Sequence, residues 1–348
     1  MIISRTPFRV SFFGGGTDYP VWYRENGGAV LGATMNKYCY ITCRYLPPFF
    51  EHKHRVVWSQ TELVQDIDEI RHPSVRETLR FMNIANGVEI HHDGDLPARG
   101  GLGSSSSFTV GLLHALYALK GIMPGKMQLA RDAIYVEQEM IKENVGSQDQ
   151  ILTAFGGFNR IDMCGEHDIQ VRPITIGREK LEMLQDHLML FYTGFSRTAS
   201  DIAAEQIRET ARKKQELSEM YRMVDEAINI LNGDDILQFG KLLHESWQLK
   251  RSLTSKISTA YIDYLYESAT RAGAVGGKIL GAGGAGFALF FIRPELQARA
   301  KESLHGLLHI PFQFENSGSQ IIFHEPDVLY SQGSISVSIT EKQHSAIV

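Results

Sequence analysis

The residue types best suited to chemistry lie between positions 95 and 107, which read Asp-Leu-Pro-Ala-Arg-Gly-Gly-Leu-Gly-Ser-Ser-Ser-Ser. Gly100, Gly101 and Gly103 remove side chains where a ligand could approach the backbone, and four consecutive serines set hydroxyls beside free amides. That combination outlines a phosphate cradle. Leu112, Ala115, Leu116 and Leu119 then fall on one helical face and Gly121 supplies a C-terminal stop, so the serines stand at a helix N-terminus. Amides there, with about half a positive charge of macrodipole, favour an anion. A Gly/Ser turn that only starts a core helix has a similar composition. Four serines in a row after Pro97 and three glycines favour phosphate binding over it.

Two other glycine-rich stretches carry chemistry less directly. Gly14, Gly15 and Gly16 precede Thr17 and Asp18, which fits either a tight turn or a close-approach loop whose acid grips ligand hydroxyls. Residues 281–286 match Gly-x-Gly-x-x-Gly, the dinucleotide fingerprint, but that motif needs a helix after it. The run that follows, Phe-Ala-Leu-Phe-Phe-Ile, is of β type, so 281–286 read as a tight bend between two strands. A Walker-type loop fails as well, because no lysine precedes the serines. His91 and His92 are neighbours on a predicted strand and point to opposite faces, which makes them poor joint metal ligands.

The elements that must position these stretches begin with a strand over 2–13, broken only by Pro7, and a second β-prone run over 29–45. Residues 55–59 form another short strand. Positions 63–82 carry mixed helical spacing, with His72-Pro73 as a break between two helices, and 88–92 return to a strand. A helix is expected over 129–144, with residues 145–150 as a loop beyond it. After a strand at 188–192, the chain is strongly helical and charged over 200–231, 236–253 and 259–272. It closes with the glycine bend, a strand, a helix near 294–307 and a strand pair around Phe312 and Ile321. No repeat of fixed period is present.

A chain of 348 residues favours two domains, and 43% hydrophobic with 22% charged residues is ordinary for a folded globular protein. The division is expected near 165–185, as an N-terminal domain of residues 1–175 and a C-terminal domain of 176–348. A net charge of −5 argues against general binding to nucleic acid or an anionic membrane. Three cysteines, Cys39, Cys43 and Cys164, show no paired metal spacing, and no run has the length of a membrane span. A cytoplasmic location and small-molecule partners are the expectation.

The three glycine segments, in this order and at these separations, resemble the three motifs of the GHMP kinase superfamily, which includes galactokinase, homoserine kinase, mevalonate kinase and phosphomevalonate kinase. Arg5-Thr-Pro-Phe-Arg-Val-Ser-Phe-Phe-Gly-Gly-Gly-Thr-Asp-Tyr-Pro20 is similar to the first motif, Pro97-Ala-Arg-Gly-Gly-Leu-Gly-Ser-Ser-Ser-Ser107 to the phosphate loop, and Gly277-Lys-Ile-Leu-Gly-Ala-Gly-Gly-Ala-Gly286 to the third. Trp58-Ser-Gln-Thr-Glu62, His72-Pro-Ser-Val-Arg-Glu77, Gly146-Ser-Gln-Asp-Gln150 and Tyr192-Thr-Gly-Phe-Ser-Arg197 turn the likeness toward members that phosphorylate sugars, heptose 7-phosphate foremost. The resemblance implies an α+β fold of two domains, the first like ribosomal protein S5 and the second ferredoxin-like, with the active site in the cleft between them. It implies ATP and Mg²⁺ as cofactors and a sugar or sugar phosphate as acceptor.

Roles follow from the resemblance. Asp149 matches the aspartate near the acceptor hydroxyl and is the candidate general base; Arg9 matches an arginine beside it whose fixed charge stabilises oxygen charge. Ser105 and Glu137 match the hydroxyl and carboxylate that hold Mg²⁺, a hard cation wanting oxygen. Glu139, two residues from Glu137, faces another side of a helix, so only one of the pair can serve. Pro97, Arg99, Gly100, Gly101, Leu102, Gly103, Ser104, Ser105 and Ser106 would cradle ATP, with Trp58 on the nucleotide side. Gly15, Gly16, Thr17, Asp18, Arg197, Gly283 and Gly284 would hold the acceptor. Arg197, and more weakly Arg99 and Lys278, could hold a sugar phosphate, a solvated surface arginine being the alternative for Arg197. Arg99-Gly100 and Ala285 depart from the common motif forms without removing a named chemical group. An anomeric kinase for fucose, galactose or a hexosamine, and a catalytically silent sugar- or ATP-binding regulator, are the alternatives.

Overall fold

The computed structural model describes residues 1–98, 100–165, 168–194 and 199–325. Its opening element, β1 (Ile2–Phe13), continues through Pro7 because its pairing with the next strand shifts register between Pro7 and Phe8, where the missing N–H costs no ladder bond. A short helix α1 (Pro20–Asn26) leads into β2 (Gly28–Tyr45), and β3 (His54–Val57) and β4 (Thr61–Val64) form a hairpin. One α-helix, α2 (Pro73–Phe81), preceded by a short 3-10 turn over Ile67–Glu69, occupies the region where two helices were expected. Residues 61–64 pair with β3 instead of coiling. Pro73 starts α2 at a position whose N–H has no helical partner anyway, so the expected break at His72-Pro73 falls between the 3-10 turn and α2.

After β5 (Val88–Gly94) comes α3 (Ser104–Leu119), with Gly103 at its N-cap in left-handed conformation, then α4 (Lys126–Tyr135), α5 (Gln148–Phe155), β6 (Phe158–Cys164), β7 (Asp168–Pro173) and α6 (Arg178–Asp186). The expected helix over 129–144 ends early. Residues 136–140 widen into a π turn, and the segment expected as a loop over 145–150 contains the start of α5. The second half comprises β8 (Leu188–Gly194), α7 (Ala199–Glu209), α8 (Lys214–Asn232), α9 (Leu237–Leu253), α10 (Ala260–Ala272), β9 (Ala274–Ile279), β10 (Gly286–Ile292), α11 (Gln297–Ser303), β11 (Leu308–Ile310), β12 (Phe314–Glu315) and β13 (Gln320–His324). Residues 280–285 are the predicted bend between two antiparallel strands.

Among the described residues the strands form two sheets. The first runs β13-β1-β2-β5-β3-β4, with β12 and β6 also on β2 and β7 beyond β6; the second runs β11-β8-β10-β9. Strands β12 and β13 therefore return from the C-terminal half to the first sheet, so residues 314–324 build on the sheet of the N-terminal half. Helix α3 lies on β1 and β2, where Ser4 Oγ donates to the Gly111 carbonyl at 2.8 Å and a Cβ at Gly111 would sit 2.9 Å from Thr6 Oγ1. The halves meet through aromatic rings. Phe12 and Phe13 of β1 pack edge-on against Phe239 of α9 with centroids 5.6 and 5.1 Å away, and Phe12 also meets Phe158 and Phe314. All five are buried or partly buried in one apolar core that spans both sheets. No helix among the described residues is long and apolar enough to cross a membrane.

Candidate active site

A cleft of about 410 Å³ opens where the two halves face each other. Its first wall is β1 and the turn after it (Arg9, Ser11, Gly15, Gly16, Asp18), its second the phosphate-loop segment (Gly101, Gly103, Ser104, Ser105) and its third the stretch from Glu143 to Asp149. The second half contributes Ala203, Gln206, Lys250, Lys278, Gly281 and Ala282.

Arg9 and Asp149, 140 positions apart, are brought together as a two-pronged pair. Arg9 Nε donates to Asp149 Oδ1 at 2.7 Å and Nη2 to Oδ2 at 2.6 Å, while Nη1 donates to the Gly101 carbonyl at 2.6 Å. The Arg9 backbone N–H donates to the Leu102 carbonyl at 3.1 Å. One arginine thus ties the carboxylate in the first turn of α5 to the phosphate-loop backbone. Such paired, charge-assisted bonds also fix direction. Asp149 is therefore on a helix, not in the expected loop.

The phosphate-loop segment keeps its shape by close backbone contact with the third glycine stretch. A Cβ at Gly101, whose φ is +84°, would fall 2.3 Å from the Leu280 carbonyl oxygen, and one at Gly281 only 2.5 Å from the Gly101 Cα. Only glycine permits that approach. The first bond inside α3 runs from Ser107 N–H to the Gly103 carbonyl at 2.8 Å, so the amides ahead of it sit at the positive end of a 16-residue helix facing the cleft.

Glu137 is fully buried behind this helix start. Its carboxylate accepts from Ser106 Oγ (2.8 Å), Thr109 Oγ1 (2.8 Å), Ser105 Oγ (3.4 Å) and the Gln150 side-chain amide. Burial pushes its pKa up to about 7 against those bonds. Glu139 is exposed, whereas Glu137 faces the start of α3. The oxygen-only set of Ser105 and Glu137 suits a hard divalent cation, and no Lys or Arg pairs with Glu137 among the described residues. Ser105 lines the cleft and Glu137 stands one layer behind it.

Asp18 reaches the cleft floor, held by Gly16 N–H (2.9 Å) and by Gln148 Nε2 (2.9 Å). Burial, more than the neighbouring charge of Asp149, raises its pKa. Gly146 must be glycine, because a Cβ there would lie 1.8 Å from Asp18 Oδ2. Lys250 enters from α9 and donates to the carbonyls of Ile279 (3.3 Å) and Gly281; burial, then the charge of Arg9, brings its pKa down to about 8. Lys278 donates to the Phe12 carbonyl at 2.8 Å and is held well below the usual lysine range by burial and by Lys250.

Several expected site residues lie elsewhere. Thr17 is fully buried and its hydroxyl is spent on the carbonyls of Gly14 (2.8 Å) and Ala29 (3.0 Å), which makes it a structural knot in the turn. Gly283 and Gly284 dock on Ile257, with Gly284 N–H 2.9 Å from its carbonyl, outside the cleft lining. Gly100 is packed on the Phe287 ring, Leu102 and Ser106 are buried under the loop, and Pro97 is exposed beside it. Trp58 does not line the cleft; its indole N–H donates to Glu62 at 3.0 Å and its ring stands edge-on to His72, which stacks on Phe108 of α3. Arg99 and Arg197 lie outside the described residues. Lys250 is one of the cleft residues that motif matching missed. Its signal is a lysine on the apolar face of α9, in line with Leu243, Ser246, Trp247 and Leu253.

Residues 72–157 match the family of GHMP kinases N terminal domains and residues 202–306 that of GHMP kinases C terminal domains. Over 310 residues, 84% of this chain and 90% of the relative, the chain is 27% identical to the D-glycero-alpha-D-manno-heptose 7-phosphate kinase of Campylobacter jejuni. It is 25% identical to the galactokinase of Pyrococcus furiosus, over 84% of this chain and 89% of that one. Among solved structures, a D-glycero-D-manno-heptose 1-phosphate kinase from Bacteroides thetaiotaomicron superposes with a TM-score of 0.69 at 24% identity, covering 92% of this chain and 98% of the other. The galactokinase of Lactococcus lactis in complex with galactose gives 0.69 at 18%, covering 92% and 94%. These likenesses show a shared two-domain α and β fold.

Proposed function

We propose that this chain, which belongs to the GHMP kinases and is a phosphotransferase, moves the terminal phosphoryl group of ATP to the anomeric hydroxyl of D-glycero-D-manno-heptose 7-phosphate, giving the 1,7-bisphosphate. The observation that carries the proposal is the Arg9–Asp149 pair bound to the phosphate-loop backbone, in a cleft where a helix N-terminus faces a carboxylate. Phosphoryl transfer needs little covalent help from a protein; it needs alignment and charge stabilisation. The pair joins the two reacting partners to one frame.

In this mechanism Asp149 takes the proton of the acceptor hydroxyl at a carboxylate oxygen, and Arg9 holds that carboxylate in one orientation. The amides of the α3 start and the Ser104 and Ser105 hydroxyls bind phosphate oxygens. Ser105 and Glu137 would hold Mg²⁺, which when bound neutralises phosphate charge. Asp18 accepts from acceptor hydroxyls on the opposite wall. Among the described residues Lys250 is hydrogen-bonded to backbone carbonyls and to no carboxylate, so its charge is available to an anionic acceptor. That supports a sugar phosphate over a free sugar.

The test is ADP release by the purified protein with ATP and Mg²⁺ against D-glycero-D-manno-heptose 7-phosphate, mannose 6-phosphate, fucose, galactose and N-acetylhexosamines, with the product read by ³¹P NMR. The heptose phosphate should give the highest kcat/KM and a new anomeric phosphate signal. Turnover confined to a free sugar would replace this acceptor by that sugar, and no turnover with any sugar would remove the proposal.

A further inference from the structure

Arg9 and Ser11 are two apart on β1 and share its cleft-facing side, as Gln148 and Asp149 are consecutive at the start of α5. Arg9 meets Asp149. Ser11 and Gln148 each carry a buried polar atom, Ser11 Oγ and Gln148 Oε1, with no hydrogen-bond partner among the described residues. Both residues line the cleft although they are only 6% and 9% exposed. A buried polar atom left unpaired keeps its full desolvation cost, so two at one place in a binding cleft call for a ligand that pairs them. The orientation of the amide is set, because Gln148 Nε2 donates to Asp18 Oδ2 at 2.9 Å and leaves the carbonyl oxygen as an acceptor.

Gly15 marks the opening between them. A Cβ there would stand 3.7 Å from Gln148 Nε2 and 3.8 Å from Ser11 Oγ, in ordinary contact, and the backbone is not in the left-handed region. Neither strain nor crowding within the protein requires glycine at 15. What a side chain would fill is cleft space beside Ser11 Oγ and the Gln148 amide.

We infer that Ser11 and Gln148, reached over Gly15, form a seat for acceptor hydroxyls that neighbour the one being phosphorylated, so that the enzyme selects a vicinal polyol over an isolated alcohol. Gln148 Oε1 accepts from one neighbouring hydroxyl and Ser11 Oγ exchanges a hydrogen bond with another, while Asp149 faces the reacting oxygen. The inference rests on the cleft being the acceptor site of a sugar kinase and adds the residues that read the acceptor.

The test compares wild type with Ser11→Ala, Gly15→Ala and Gln148→Met, using heptose 7-phosphate or whichever sugar the panel returns, its analogue deoxygenated next to the reacting carbon, and mevalonate, whose two hydroxyls are not vicinal. Ser11→Ala should raise the acceptor KM roughly three- to tenfold, as loss of one hydrogen bond does. The melting temperature should hold or rise, because an unpaired buried hydroxyl has been removed. Gly15→Ala should raise the acceptor KM at least tenfold with the KM for ATP unmoved. Against the deoxy analogue the penalty of Ser11→Ala or of Gln148→Met should shrink toward one. Acceptor KM values within twofold of wild type in all three variants would overturn the inference and leave the sugar-kinase assignment standing. A wild-type enzyme that phosphorylates mevalonate and no sugar would overturn both.

Discussion

Replacing Asp149 by Asn keeps the shape of the side chain and removes its charge. The amide oxygen can still accept from Arg9 Nε, but the amide NH₂ then faces Nη2, donor against donor, where a 2.6 Å ion pair stood. The Arg9 side chain is 4% exposed and keeps only that amide oxygen and the Gly101 carbonyl as partners, so a nearly buried guanidinium loses its counter-charge. Breaking a fully buried pair costs about 3–5 kcal/mol; Asp149 is 24% exposed, and solvent there reduces the loss to roughly 2 kcal/mol. The fold should survive. The chemical step loses its proton acceptor, which is worth about 10²–10⁴ in rate, or roughly 3–5 kcal/mol of barrier. Three measurements separate these effects: kcat from coupled ADP release at saturating acceptor, binding of a fluorescent ATP analogue, and urea denaturation. The expected result is a kcat at least a hundredfold lower, nucleotide affinity within about threefold of wild type, and a small loss of stability. A folded variant with kcat within tenfold of wild type would refute the role given to Asp149, and an equal loss of nucleotide binding would show that the pair shapes the phosphate loop instead.

Glu137 has a folded pKa of about 7 against an ordinary 4.5, so the folded state binds the extra proton and stability falls as pH rises between those values. Glu137→Gln should lack this loss, gaining on wild type by up to about 3 kcal/mol in metal-free urea melts between pH 4.5 and pH 8, and Mg²⁺ should narrow the gap; parallel pH profiles would count against it. Gly101→Ala would drive a methyl into the Leu280 carbonyl, 2.3 Å away, at a φ of +84°. It should destabilise the fold by at least about 1 kcal/mol and raise the KM for ATP more than that for the acceptor. Lys250 loses its proton as pH passes about 8, so the KM of a phosphorylated acceptor should climb above that pH in wild type. Lys250→Met should show a high, pH-independent acceptor KM; a wild-type profile that stays flat to pH 9.5 would remove Lys250 from acceptor binding.

Where local rules were sufficient, the sequence was a reliable guide. The β1 pattern, the helix from Ser104 to Leu119 with its glycine and serine start, and the strand-bend-strand over 274–292 all follow from side-chain periodicity and glycine chemistry acting over a few residues. The resemblance in three ordered glycine stretches carried the family, and the pairing of Arg9 with Asp149 emerges in the cleft as their motif positions imply. Local rules failed where a distant partner decided. Residues 61–64 became a strand because β3 offers an unpaired edge, and 145–150 yielded the turn that starts α5 because Asp18 and Glu137 accept the side-chain amides of Gln148 and Gln150.

Other features of the site have no local signature at all. The choice of Glu137 over Glu139 depends on which side of the π turn meets Ser105, Ser106 and Thr109. Lys250 reads as one more helical lysine until α9 packs its apolar face toward β9 and carries that amine into the cleft. Ser11 and Gln148 are ordinary polar residues in sequence; their unpaired atoms arise because β1, the glycine turn and α5 converge there and bury them. Residue types and spacing named the chemistry the chain is equipped for, since amides, hydroxyls and carboxylates act the same in any fold. Which of them share a cleft, how far each is buried and what each is bonded to depend on contacts more than a hundred residues apart, and these arise when the two sheets and their helices pack together.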